Sequence, residues 1–147
     1  MNARAEPAAG QKVRVATASL AGCFGCHMSL LDIDERILEL VKLVEFDRTP
    51  LTDIKSLSPC DLGLVEGGVA NAENVEVLRA FRRQCKVLVG VGACAVNGGI
   101  PAMQGTVTGS HTLSGYLSRK GIDKPVVNLP NCPMKPEHFV YTVLHYA

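Results

Sequence analysis

Cysteines are the residues of this sequence best suited to chemistry, and the closest pair is Cys23 and Cys26, within VRVATASLAGCFGCHMSLL (Val13 to Leu31). An apolar, β-branched run leads into a glycine-containing loop that holds both thiols, and a helical pattern follows at once. Helix N-termini carry partial positive charge and unpaired N–H donors, which stabilise thiolates. Metal binding and redox exchange both require the thiolate form. Two more cysteines have comparable surroundings, Cys94 in GVGACAVNGG and Cys132 in PNCPMKPE.

The elements that must position them follow from the apolar pattern. Val13 to Leu20 reads as a buried parallel strand. From Ser29 the positions Leu30, Ile33, Ile37, Leu40 or Val41, and Val44 form a helical stripe, with Asp34, Glu35, Arg36 and Glu39 on the other face. Ser29 and Asp32 have capping-box spacing, and a start one turn earlier is also open. Val44 to Phe46 is a short strand, and Pro50 to Pro59 a connection. Asp61 to Val65 is a second strong strand, closing on Glu66-Gly67-Gly68. Asn71 caps a helix with Val75, Leu78 and Phe81 inward. Lys86 to Val91 is the third strong strand and enters the glycine-rich loop of Cys94. Residues 100–112 read as a loop, Leu113 to Arg119 as a short helix, and Pro125 to Leu129 as a last strand. Pro136 opens a closing helix whose inner face is Phe139, Val140, Val143 and Leu144. Strand, loop and helix in repetition define a single α/β domain with a parallel sheet over residues 13–147, behind a frayed tail at 1–12.

Composition narrows the function classes. The 147 residues are 47% hydrophobic and 20% charged, which suits one globular domain. A net charge of +1, with no basic run and few aromatics, gives no footprint for nucleic acid. No apolar run approaches the roughly 20 residues of a membrane span, and the first dozen residues show neither a secretory h-region nor a twin arginine. The expected location is the cytoplasm, where six cysteines serve as ligands or core residues rather than disulfides.

Topology sorts those cysteines. Cys23, Cys26, Cys94 and Cys132 follow strands and share the sheet's carboxyl edge, where such folds gather their chemistry. Cys60 and Cys85 precede strands and so lie at the opposite edge, as small buried hydrophobes. Four converging thiolates suit an iron–sulfur cluster or a zinc ion. Glycine-rich loops favour the cluster, because backbone N–H groups can turn toward its sulfurs. A thioredoxin-like dithiol at Cys23 and Cys26, which leaves Cys94 and Cys132 unexplained, and no site at all remain open on spacing alone.

The segments CFGCHMSLLD (23–32), LVEGGV (64–69), GVGACAVNGG (90–99) and PNCPMKPE (130–137) resemble the small, electron-transferring subunit of [NiFe] hydrogenases. The resemblance implies a flavodoxin-like fold with helices on both faces of the sheet. It also implies one proximal [4Fe–4S] cluster held by Cys23, Cys26, Cys94 and Cys132. With no leader and no further Cys/His set, the chain is most similar to the cytoplasmic, NAD-reducing bidirectional type. In that type the NiFe(CN)2CO centre belongs to an obligate large subunit, and FMN, NAD and further Fe–S clusters to diaphorase subunits. No phosphate-cradling G-x-G-x-x-G follows the first strand, so NAD binding is not expected in this chain. In the last motif Asn131 and Met134 replace a Gly and a Pro common in other groups. A respiratory complex I subunit is the related alternative, but its first two cysteines are adjacent, whereas Phe24 and Gly25 intervene here.

Among the remaining candidates, Glu66 ends a buried strand at the active edge. A carboxylate there is costly unless paired, so a proton path, a subunit contact or a hydrogen-bonded loop role is expected. His27 is a cluster or partner contact or an ordinary first-turn histidine. His111, His138 and His145 are surface or interface residues; Asp32, Asp34 and Glu35 a solvated face; Met28, Met103 and Met134 core or interface filler. Loops 67–72 and 97–112, poor in charge, are expected contact surface for the large subunit.

Overall fold

The computed structural model describes residues 12–122 and 125–146. The expected tail therefore falls, for residues 1–11, outside the described residues. Among the described residues the strands are β1 (Val13–Ser19), β2 (Val44–Phe46), β3 (Cys60–Glu66), β4 (Cys85–Val91) and β5 (Val126–Leu129). They form one sheet in the order β2-β1-β3-β4-β5, and all neighbouring pairs are parallel. The helices are α1 (Gly25–Leu31), α2 (Ile37–Leu43), α3 (Ala72–Gln84), α4 (Gly92–Val96), α5 (Leu113–Arg119) and α6 (Pro136–Tyr146).

Alternation along the strands gives the sheet two apolar faces. Val15, Leu62, Leu64, Val89 and Val91 pack with Leu30 and Leu40 of α1 and α2 and with Phe139 and Val143 of α6. Ala16, Ala18, Val65 and Leu88 pack with Leu78 and Phe81 of α3 and with Leu113 and Leu117 of α5. Each fully buried Val, Leu or Phe among them contributes roughly 1.5–3 kcal/mol. Asn71 caps α3 as expected, its side chain accepting the Asn74 N–H at 2.8 Å.

Four expectations are corrected. The stripe from Leu30 to Val44 is buried as read, with Leu30, Ile33, Leu40 and Val44 in the core, but it is not one helix. The first helix ends at Leu31, and Asp34 at φ 50° opens a 3-10 turn through Arg36 before α2 begins. A positive φ cannot sit inside an α-helix, and Asp is among the few residues that tolerate it. The capping box does not form, because α1 starts a turn earlier and Ser29 Oγ donates to the Met134 carbonyl at 2.7 Å. Cys94 lies on the short helix α4 rather than in a loop. Leu144 is 45% exposed, since the closing helix turns only Phe139 and Val143 fully inward.

Candidate metal centre

The chain runs from β1 out to β2 and then back across β1 to β3, so strand order reverses between β1 and β3. The crevice beyond their carboxyl ends is where open α/β sheets bind ligands. Residue pairing seals its floor. Ser19 is in register with Glu66, Leu20 N–H donates to the Glu66 carbonyl at 2.8 Å, and Ala21 and Gly68 exchange N–H···O bonds of 3.0 and 2.9 Å. Residues 67–69 are thereby buried within this chain, which corrects the expectation that the whole 67–72 loop is open contact surface.

Cys23, Cys94 and Cys132 line one cavity of about 700 Å3 above this floor, with Ala21, Ala93 and Ile100 among its apolar walls. Cys26 is buried at the inner side, where its Sγ accepts the Met134 N–H at 3.4 Å. Burial pushes the Cys26 thiol up to about 11. The Met134 N–H opposes that rise, while the negative charges of Glu66, Cys23 and Cys132 add to it. Cys94 is raised for the same leading reason, burial, with Cys132, Cys23 and Glu66 contributing. Cys26 on α1 and Cys94 on α4 thus each feel Cys23, in the loop after β1, and Cys132, in the turn after β5. The N-terminal position of Cys26 on its helix does not produce the low thiol pKa expected from the helix dipole, because burial outweighs it.

Backbone conformation makes the room. Gly92 stands at φ 80°, and a Cβ there would overlap Cys26 Sγ. Gly99, at φ 52°, would bring a Cβ within 2.9 Å of Cys94 Sγ. Asn131 sits at φ 91°, and asparagine is among the few residues that accept the left-handed region. Among the described residues no three His, Cys, Asp or Glu side chains converge closely enough to hold a single metal ion. Three thiols line one space and Cys26 lies buried beside it, a set of four donors that a four-iron cluster with four thiolate ligands would fit.

Glu66 is 3% exposed, and the first turn of α1 occupies its carboxylate. Oε1 accepts the Cys26 N–H at 3.2 Å, Oε2 accepts the His27 N–H at 3.0 Å, and His27 Nδ1 closes a short contact to Oε2. The other His27 nitrogen meets Thr17 Oγ1 at 3.0 Å, which in turn meets Thr49 Oγ1 at 2.7 Å. Phe24 stacks on the imidazole with ring centroids 4.8 Å apart. Sequence reasoning singled out Glu66 and His27 separately but had no signal for their pairing, nor for Thr17, Thr49 or the Met134 N–H.

The other cysteines behave as expected. Cys60 and Cys85 open β3 and β4, face each other in register and are buried. Burial raises them to about 12 and about 11 respectively. His111 is tied through its backbone to Val69, His145 is exposed, Met134 is core, and Met28 and Met103 are exposed. No helix among the described residues is long and apolar enough to cross a membrane.

Fold and site together define the class: a parallel α/β domain that gathers thiols at its strand-order reversal. The model of the family described as NADH ubiquinone oxidoreductase, 20 Kd subunit, matches residues 23–146, and the chain belongs to that family as a hydrogenase small subunit. It is 53% identical over 94 residues to the NAD-reducing hydrogenase HoxS subunit delta of Cupriavidus necator, a match covering 63% of this chain and 45% of that protein. It is 33% identical over 152 residues to a vhu subunit of the F420-non-reducing hydrogenase of Methanococcus voltae, covering 86% and 53% of the two chains. A chain in the crystal structure of NAD+-reducing [NiFe]-hydrogenase in the H2-reduced state superposes with a TM-score of 0.74 at 44% identity, covering 92% of this chain and 90% of that one. The chain spans about half the length of the curated relatives it matches.

Proposed function

We propose that this chain is the electron-transfer subunit of a cytoplasmic, NAD-reducing [NiFe] hydrogenase, with one [4Fe–4S] cluster held by Cys23, Cys26, Cys94 and Cys132. In this reading it relays electrons between the NiFe(CN)2CO centre of a large subunit and diaphorase subunits carrying FMN, NAD and further Fe–S clusters. The observation that carries the proposal is that Cys23, Cys94 and Cys132, from three separate segments, line one largely apolar cavity, with Cys26 buried at the start of the adjoining helix. The 44% identity to a chain of an NAD+-reducing [NiFe]-hydrogenase supports the choice of partners.

A bound cluster supplies one-electron transfer at a potential set by burial and hydrogen bonds. The residues of this chain do the holding and tuning. The Met134 N–H donates to Cys26 Sγ, and the Gly25 N–H donates to Cys23 Sγ at 3.4 Å. Both bonds favour the thiolate. Ala21, Ala93, Ile100 and Pro101 form an apolar wall that limits water. Cys23 and Cys132 are exposed, as are Ile100, Met103 and Val107 on the adjoining loop. This rim is the surface that a large subunit would cover, and it narrows the expected contact region to the 100–109 side.

The test is Cys94→Ser in the assembled complex. H2-driven NAD reduction is expected to vanish while NADH-driven dye reduction by the diaphorase persists. Retention of the coupled activity at the wild-type rate contradicts the relay.

A further inference from the structure

The helix that presents Cys26 lacks a cap of its own. Phe24 occupies the N-cap position of α1 in the left-handed region, at φ 66°, with no side-chain cap bond. First-turn N–H groups have no partner inside a helix, so they need an acceptor from elsewhere. Here the acceptor comes from another strand. The Glu66 carboxylate takes the N–H groups of Cys26 and His27 on its two oxygens and the His27 ring on one of them. Two backbone N–H groups and a ring nitrogen, all meeting one buried carboxyl group, hold it in one place.

We propose that Glu66 is the positioning residue of the cysteine site: it clamps the first turn of α1 so that Cys26 Sγ stays against Gly92 and the Met134 N–H, facing the other three thiols. His27 braces the clamp. Its ring is bonded on both nitrogens, to Glu66 and to Thr17, and Thr17 is anchored to Thr49 beyond β2. Register explains why the residue is Glu66. In the β1–β3 pairing it lies opposite Ser19, four residues before Cys23, so its side chain reaches past the end of β1 to the helix start. The clamp therefore forms only once β3 has docked beside β1, which links assembly of the thiol site to closure of the sheet.

The proposal rests on reading Cys26 as an iron ligand, but its test begins on the iron-free full chain. Each cysteine is labelled with iodoacetamide and followed by mass spectrometry, in wild type and in Glu66→Gln. Loss of one of the two acceptor oxygens is expected to speed labelling of Cys26 by about tenfold or more. Cys60 and Cys85, buried at the opposite edge, are expected to stay at wild-type rates. Wild-type labelling of Cys26, or a rise shared equally by Cys60 and Cys85, overturns the clamp. In the assembled, iron-loaded complex the same variant is expected to change the EPR line shape of the reduced centre; an unchanged spectrum also overturns it. Absence of iron from the wild-type complex defeats the metal reading instead and leaves the labelling result standing, so the two failures are distinguishable.

Discussion

Gly99→Ala perturbs the centre without touching a thiol. Gly99 sits at φ 52°, ψ −155°, next to a region populated in essence by glycine alone, where another residue costs roughly 1–3 kcal/mol. Its new Cβ would lie 2.9 Å from Cys94 Sγ, 3.1 Å from Cys94 Cα and 3.2 Å from Cys94 N. Two of those atoms are backbone, so no rotamer change clears them and α4 has to shift. Overpacking of that kind adds roughly 1–3 kcal/mol. The sum, about 2–6 kcal/mol, is a large fraction of the 5–15 kcal/mol typical of a domain, and at roughly 2–4 °C per kcal/mol it lowers the unfolding midpoint by many degrees. The cheapest relief is displacement of Cys94, so metal retention is expected to suffer more than folding. Gly105→Ala is the control. It shares a positive φ of 86°, yet nothing lies within 4 Å of its Cβ, leaving only the conformational cost of about 1–2 kcal/mol. The assay is iron and sulfide per chain after anaerobic purification, beside thermal unfolding. Gly99→Ala is expected to lose iron and Gly105→Ala to keep it. Wild-type iron content and midpoint in Gly99→Ala refute the account of Cys94 positioning.

Two further outcomes follow from the opposite edge of the sheet. Burial raises Asp47, but the N–H groups of Arg48 and Ser58 and the Arg14 guanidinium outweigh that and hold it below the ordinary carboxylate value. A depressed folded-state pKa gives stability that is present above the unfolded value of about 3.9 and lost as pH falls through the folded one. Thermal unfolding followed from about pH 6 down to pH 2 should therefore show an acid limb that Asp47→Asn flattens; an unchanged limb counts against the pairing. Cys60→Ala is expected to cost about 1 kcal/mol in unfolding experiments while leaving iron content at the wild-type level. Loss of iron would place Cys60 in the centre and break the division of the cysteines.

Much of this arrangement is legible in the sequence, because both strand runs and cysteine positions are local signals. Val13–Ser19, Cys60–Glu66 and Cys85–Val91 are short continuous apolar runs, and each cysteine's place before or after its run decides the edge it occupies. The Asn71 cap and Pro136 start are local too. What escapes the sequence is set by partners distant along the chain. The break between α1 and α2 turns on the backbone of Asp34, within an apolar stripe that is compatible with a continuous helix. Glu66 and His27 are 39 residues apart, and only the β1–β3 register brings them together. The elevated Cys26 thiol likewise reflects burial beneath Met134 and Gly92, which a helix-dipole argument made from the local sequence cannot contain.

Counting iron and acid-labile sulfide in the anaerobically purified complex tests the central claim most directly. About four of each per copy of this chain, beyond what the partner subunits hold, is the predicted result, and the difference should disappear in Cys132→Ala. A single zinc ion, or an iron content that Cys132→Ala leaves unchanged, contradicts it.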